Sequence, residues 1–246
     1  MNTNSNTYTI IYTAIVVVIV SAVLAFVSQK LGPMQAANEK AETVSQILTA
    51  AGFGDKESWQ EMGNAATLQF YKDNIGKAVL VDAGGKVTGS LDGTKAQVYS
   101  VSELKAQNYN IKDGRQTALP VYRFKNGVTV LPVYGAGLWG PVWGYIAVGK
   151  DMQTIVGAYF DHEGETPGLG GKIKDDPAFR AQFAGRKINL ADAEHSFSIV
   201  KGGGKDDNPY AVDAITGATM TSKGLDKAIN TWLCTLNSYL KGGHKK

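Results

Sequence analysis

From Tyr8 to Val27 the chain reads YTIIYTAIVVVIVSAVLAFV, twenty mostly apolar residues, and no charged side chain precedes Lys30. A helix of that length spans about 30 Å of hydrocarbon. Thr13 and Ser21 can return their hydroxyls to the helix backbone, and Tyr8 and Tyr12 stand where an interfacial aromatic belt would begin. A cleaved signal peptide, with Val23-Leu24-Ala25 at the cleavage site, fits less well. It lacks a positive leading region, and the apolar run is longer than usual. The pattern predicts a retained anchor over residues 1–30. Lys30 alone does not fix its orientation, because a long following domain weakens the charge rule.

The period then changes. Met34, Ala37, Ala41, Val44, Ile47, Leu48 and Ala51 recur at intervals of three and four, which predicts an amphipathic helix capped by Gly52. It is expected to connect anchor and domain over 31–52, with Gly32-Pro33 as a place to bend or break. A second, weaker helix is expected within Trp59–Asn74. Three hairpins follow: 77–89 turning at Gly84-Gly85, 119–135 turning near Asn126-Gly127, and 143–162 turning around Gly149–Asp151. A short helix should start near Pro177 and end at Gly185. The last helix runs from about Ser222 to Leu240, with Leu225, Ala228, Ile229, Trp232, Leu233, Leu236 and Leu240 as its apolar stripe. No fixed repeat and no low-complexity linker appears. These elements predict an α+β domain over 53–246, one mixed or antiparallel sheet flanked by helices.

Composition narrows the chemistry. The net charge is +3 and the basic residues are scattered, with one dense cluster at Lys241, Lys245 and Lys246, so no nucleic-acid partner is expected. The lone Cys234 cannot form an internal disulfide or a cysteine metal site. His162, His195 and His244 lack metal-ligand spacing, so no metal is expected. GAGLWG, Gly135 to Gly140, matches G-x-G-x-x-G, but Pro141 and a strand follow it where a dinucleotide site needs a helix. It is either a plain connection between strands or a bare backbone that lets Trp139 approach a flat ligand. HEGETPGLGG, His162 to Gly171, reads as a strand running into a Pro/Gly turn with Glu163 and Glu165 solvated. Leu169, between glycines, could lid a ligand. No residue stands out as a catalytic acid or base.

DAITGATMTS, residues 213 to 222, places Thr216, Thr219, Thr221 and Ser222 around Gly217-Ala218, just before the last helix. Helix capping accounts for one or two of these hydroxyls. The bare Gly-Ala pair also suits a phosphate at a helix N-terminus, with Lys223 adding charge. The residues alone leave both readings open.

That stretch resembles the covalent flavinylation motif Asp-x-x-Ser/Thr-Gly-Ala-Thr-x-Thr/Ser of the FMN-binding domain family, with Thr216 where Ser is common. ETPGLG, Glu165 to Gly170, is similar to the family's second signature, and GLWG…WGYIAV and the N-terminal anchor also fit. The resemblance implies FMN joined by a phosphoester to Thr219, with Thr216, Gly217, Ala218 and Thr221 about the phosphate. Asp213 would be read by the flavin transferase. Glu165, Thr166, Gly168, Leu169 and Gly170, with Leu138 and Trp139, would lie against the isoalloxazine. It further implies an anchor in the bacterial inner membrane and a periplasmic flavin domain, which can dispense with disulfides at this size. The implied role is relaying single electrons between redox subunits of a membrane complex. GLWG and the long segment between Phe53 and Ala118 favour the sodium-translocating NADH:quinone reductase branch over the Rnf branch. An uncharged single span offers no ion path, so sodium coupling is assigned to other subunits. The alternative from another class is a cofactor-free, membrane-anchored module binding a partner or polysaccharide.

Overall fold

Helix α1 runs from Asn6 to Ala50 in the computed structural model, which describes residues 6–204 and 207–243. His244, Lys245 and Lys246 lie outside the described residues. Pro33 sits inside α1 without interrupting it. The chain divides into two compact units, Met1–Lys40 and Ala41–Lys246. In the first, α1 is long and apolar enough to cross a membrane, and side chains such as Ile10, Val18, Leu24 and Phe26 are exposed. In the second, Ala41, Val44, Ile47, Leu48 and Ala50 of the predicted stripe and its neighbours are buried. Gly52, at φ 80°, ends the helix as expected, and the Phe53 N–H returns to the Leu48 carbonyl at 3.1 Å.

The weak helix expected within 59–74 is two helices, α2 (Lys56–Met62) and α3 (Asn64–Asn74). Gly63, at φ 81° and ψ 159°, separates them in a conformation that a side chain would strain. A further helix, α4 (Val101–Lys112), left no clear apolar period. Its signal was a capping box: Ser100 Oγ accepts the Glu103 N–H at 3.3 Å, and Glu103 Oε2 accepts the Ser100 N–H at 2.7 Å.

The three hairpins form as the alternation predicts. They are β1 (Ile75–Val81) with β2 (Val87–Leu91), β3 (Leu119–Phe124) with β4 (Thr129–Ala136), and β5 (Pro141–Val148) with β6 (Ile155–His162). The sheet order is β2-β1-β3-β4-β5-β6, and every pairing is antiparallel. Gly85 and Gly127 turn the first two hairpins at φ 83° and 92°. Helices α5 (Lys172–Asp175) and α6 (Pro177–Ala181) follow, the latter capped by Asp176 with Pro177 in its first turn. A separate parallel pair, β7 (Ser198–Val200) with β8 (Ala211–Asp213), is too short to leave a period in the sequence. Helix α7 (Thr219–Gly243) closes the chain.

Each face of the large sheet is covered. On one, the predicted stripe of α7 is buried throughout, packed with Val133, Val142, Ile146 and Phe160. On the other, Val44, Ile47 and Leu48 of α1 and Trp59 and Tyr71 pack with Tyr122, Tyr145 and Tyr159. Trp232 Nε1 donates to the Tyr134 carbonyl at 3.0 Å, tying α7 to β4. Glycine lets the two approach: a methyl on Gly224 would overlap the Ala136 carbonyl oxygen, and one on Gly135 would lie 2.6 Å from Ala228 Cβ.

Gly224→Ala is therefore expected to lose about 1–3 kcal/mol despite alanine's better helix propensity. Gly242→Ala, which meets nothing within 4 Å, should not lose stability. Urea unfolding midpoints at unchanged slope check both.

Candidate functional site

The first hydrogen bond of α7 runs from the Ser222 N–H to the Ala218 carbonyl at 2.9 Å, which puts Ala218 at the cap position. Alanine has no oxygen to cap with. The N–H groups of the first turn, which no helix can satisfy internally, are thus left for water or a ligand. The four hydroxyls divide cleanly. Thr221 and Ser222 are each 1 % exposed and used in the fold. Thr221 Oγ1 donates to Glu165 Oε2 at 2.5 Å, and Ser222 Oγ accepts the Ile215 N–H at 3.1 Å. Thr216 and Thr219 are exposed. Gly217 adopts φ 81°, and a Cβ there would come within 3.2 Å of Leu169 Cδ2, so the Gly-rich loop lies against the turn before Thr219.

Glu165 is not solvated. It is 4 % exposed, and its carboxylate gathers the site from below. Oε1 accepts the N–H groups of Leu138 at 2.7 Å and Trp139 at 2.9 Å, while Oε2 takes the Thr221 hydroxyl. Gly137 and Gly170 make room, since a Cβ on either would overlap a carboxylate oxygen. The glycines of GAGLWG therefore serve close packing in the β4–β5 turn. The His162 ring is also engaged, its Nδ1 accepting the Glu165 N–H at 3.1 Å. Above this carboxylate, Leu138, Trp139, Leu169 and Met220 form an exposed apolar rim, with Trp139 69 % exposed. Thr166 and Gly168 are exposed in the same loop, and Gly170 is buried.

Beside Thr219 opens a cavity of about 620 Å³, lined among others by His195, Ile199, Lys201, Thr216, Lys223 and Asp226. Thr219, Ser222, Lys223 and Asp226 follow the i, i+3, i+4, i+7 spacing of one helix face. Sequence reasoning named Lys223 but missed Lys201 and Asp226. Asp226 was legible as the position seven beyond Thr219, whereas Lys201 follows a strand with no period. Burial raises the Asp226 carboxyl above its ordinary value, opposed in part by the Ile199 N–H at 2.7 Å, the nearby His195 charge and Asn230. Asp213 ends β8 exposed, its N–H held by Gln182 Oε1 at 2.8 Å.

These residues fit a phosphorylated, flat ligand: exposed hydroxyl and uncapped helix start, lysines close by, an apolar rim alongside. Fold and site define a cofactor-binding α+β domain that follows one long apolar helix. Residues 137–234 match the model of the FMN-binding domain family. The chain is 31% identical over 208 residues to the C subunit of the Na⁺-translocating NADH-quinone reductase of Vibrio vulnificus, covering 82% of this chain and 81% of that one. It is 29% identical over 247 residues to the corresponding C subunit of Pseudomonas aeruginosa, covering 94% and 93%. The crystal structure of the C subunit from Parabacteroides distasonis superposes with a TM-score of 0.69 at 32% identity, over 85% of this chain and 96% of that one. The chain belongs to the family of C subunits of the Na⁺-translocating NADH-quinone reductases.

Two outcomes follow from the geometry. Thr221→Val leaves a buried carboxylate short of a donor and should cost about 1–3 kcal/mol. Thr219→Val, on an exposed residue, should stay within about 0.5 kcal/mol of the parent in the same unfolding assay. Asp226, whose folded value is raised, favours the folded state while protonated, and that contribution fades as pH climbs from the unfolded value of 3.8 through the folded one. Asp226→Asn should therefore gain stability relative to the parent at pH 7, with the gap closing as pH falls toward 4, read from melting temperatures across pH.

Proposed function

We propose that this chain is the FMN-bearing subunit of a Na⁺-translocating NADH-quinone reductase. The flavin phosphate is esterified to Thr219 Oγ, and the subunit passes single electrons between neighbouring redox subunits. The observation that carries this reading is the state of Thr219. It is the first residue of α7, exposed, with no hydrogen bond engaging its hydroxyl among the described residues, while Thr221 and Ser222 are consumed by the fold.

Bound FMN supplies reversible one-electron chemistry; the chain supplies position and electrostatics. The first-turn N–H groups and the positive end of the α7 dipole favour the phosphate, and Lys223 and Lys201 add charge at the cavity beside it. Leu138, Trp139 and Leu169 offer the isoalloxazine an apolar surface, and Thr216, Gly217 and Ala218 keep the approach bare. Glu165, Thr166, Gly168 and Gly170 hold or shape the loop under that surface. No residue need act as acid or base. The GAGLWG turn joins two strands and opens no helix, so NADH oxidation is left to another subunit.

Residues 1–30 serve as the anchor, and 31–52 as the link to the flavin domain, 53–246, whose core α1 also enters. The exposed apolar span supports a single membrane pass; the bacterial inner membrane and a periplasmic domain are what the family resemblance implies. Sodium coupling rests with other subunits, because the span carries no charge. Asp213, exposed six residues before Thr219, would be read by the flavin transferase, as the family resemblance implies.

Intact mass tests the reading. Chain made together with its transferase should carry the mass of one FMN and stay yellow after denaturation. Thr219→Val should lose both, and Thr216→Val should keep them. Bare polypeptide mass in material from the native membrane would overturn the covalent reading and return the cofactor-free binding module.

A further inference from the structure

The Gly-rich loop beside Thr219 is closed at its base by a second buried carboxylate. Alternation at the end of β6 sends Asp161 to the face covered by α1 and His162 to the face covered by α7. Asp161 is 4 % exposed. Its Oδ1 accepts the His162 N–H at 2.8 Å and lies 2.7 Å from Lys174 Nζ. His162 and Lys174 stand at the two ends of the loop, so one oxygen pins both. Its Oδ2 accepts Gln46 Nε2 of α1 at 3.0 Å, and Gln46 Oε1 in turn accepts Trp143 Nε1 at 3.4 Å. Across the sheet, the His162 ring holds the Glu165 N–H, and Glu165 holds Leu138, Trp139 and Thr221. From Gln46 to Thr221 the links are hydrogen bonds and the covalent chain of His162 and Glu165.

We propose that Asp161 is a positioning residue that locks the end of α1, the Gly-rich loop and the first turn of α7 into one unit, so that a change at Gln46 is felt at Leu138, Trp139 and Thr221. A buried ion pair is a poor source of stability, since apolar residues of similar volume do as well or better; what it offers is a fixed arrangement. The loop needs one. Gly168 at φ 76° and the glycines at 164, 170 and 171 give it a large conformational entropy. Its internal bonds, from the Leu169 and Gly171 N–H groups to the Thr166 carbonyl at 3.1 and 2.9 Å, set its shape but not its placement. Side-chain placement comes from Asp161 and Glu165, beside one backbone tie from the Glu163 N–H to the Pro141 carbonyl at 3.1 Å.

The consequence for electron transfer rests on the flavin reading above; the positional claim does not, and it is tested on the full chain in detergent before any flavin is attached. Amide hydrogen exchange is measured for Gln46→Leu, Asp161→Asn, Lys174→Met and Lys174→Arg. Gln46→Leu and Lys174→Met should each speed exchange at Leu138, Trp139 and 165–171 about threefold or more, and Lys174→Arg should stay near the parent. Gln46→Leu removes the Gln46 side-chain bonds to Asp161, Trp143 and Glu42 while leaving both buried carboxylates in place, and it keeps the test valid should Asp161→Asn fail to fold. Faster exchange confined to the turn around Gln46, with Leu138 and Trp139 unchanged, would overturn the proposal. In chain loaded by the transferase, the flavin absorption band should shift with the same variants. Absence of flavin at Thr219 alongside coupled exchange would sink the flavin reading and leave the lock standing.

Discussion

A single buried carboxylate organises the site. Glu165 brings together three segments distant in sequence: the turn after β4, the Gly-rich loop that contains it, and the first turn of α7. Enclosing a carboxyl group is costly unless hydrogen bonds replace its water, and here two backbone N–H groups and a hydroxyl donate to it. The glycines at 137 and 170 follow from that arrangement, because any side chain there would occupy the carboxylate's place. Much of what makes the local sequence unusual is the space this one group requires.

The same arrangement separates buried hydroxyls from exposed ones. Thr221 and Ser222 are buried and engaged, Thr221 by Glu165 and Ser222 by the Ile215 N–H. Thr216 and Thr219 face outward onto the cavity, with Lys223 one turn along and Lys201 also in its wall. A motif that looks redundant as a string is therefore two pairs, one bonded within the fold and one exposed, and burial and hydrogen bonding separate them.

The fold was legible wherever one face of an element meets a core. The α7 stripe, the buried half of α1 and three hairpins with Gly-bearing turns all show their periods. Helix α4 did not, because its buried face includes polar Asn108 beside Leu104, leaving only Ser100 and Glu103 to mark its start. The split at Gly63 hid in a stretch with little amphipathic contrast, and β7 and β8 are three residues each. At the site, the residues of 213–222 left capping and phosphate binding open, and only the family resemblance singled out Thr219. The burial of Glu165 could not be read, because its partner Thr221 lies 56 residues away and nothing local distinguishes a clamped glutamate from a solvated one. The cavity wall at Lys201 was hidden for the same reason: it is assembled by tertiary contact.

On the proposed esterification of Thr219, the alanine at the cap position of α7 would make maturation part of folding. Where most helices carry their own terminating oxygen, this one leaves the post vacant, and an esterified phosphate on the next residue would fill it. The bare polypeptide is then a slightly unfinished fold, short of about 0.5–2 kcal/mol that a capping oxygen contributes. On that proposal, delivery of the group would tighten the terminus that presents it, so unloaded and loaded chains would differ in rigidity at the start of α7.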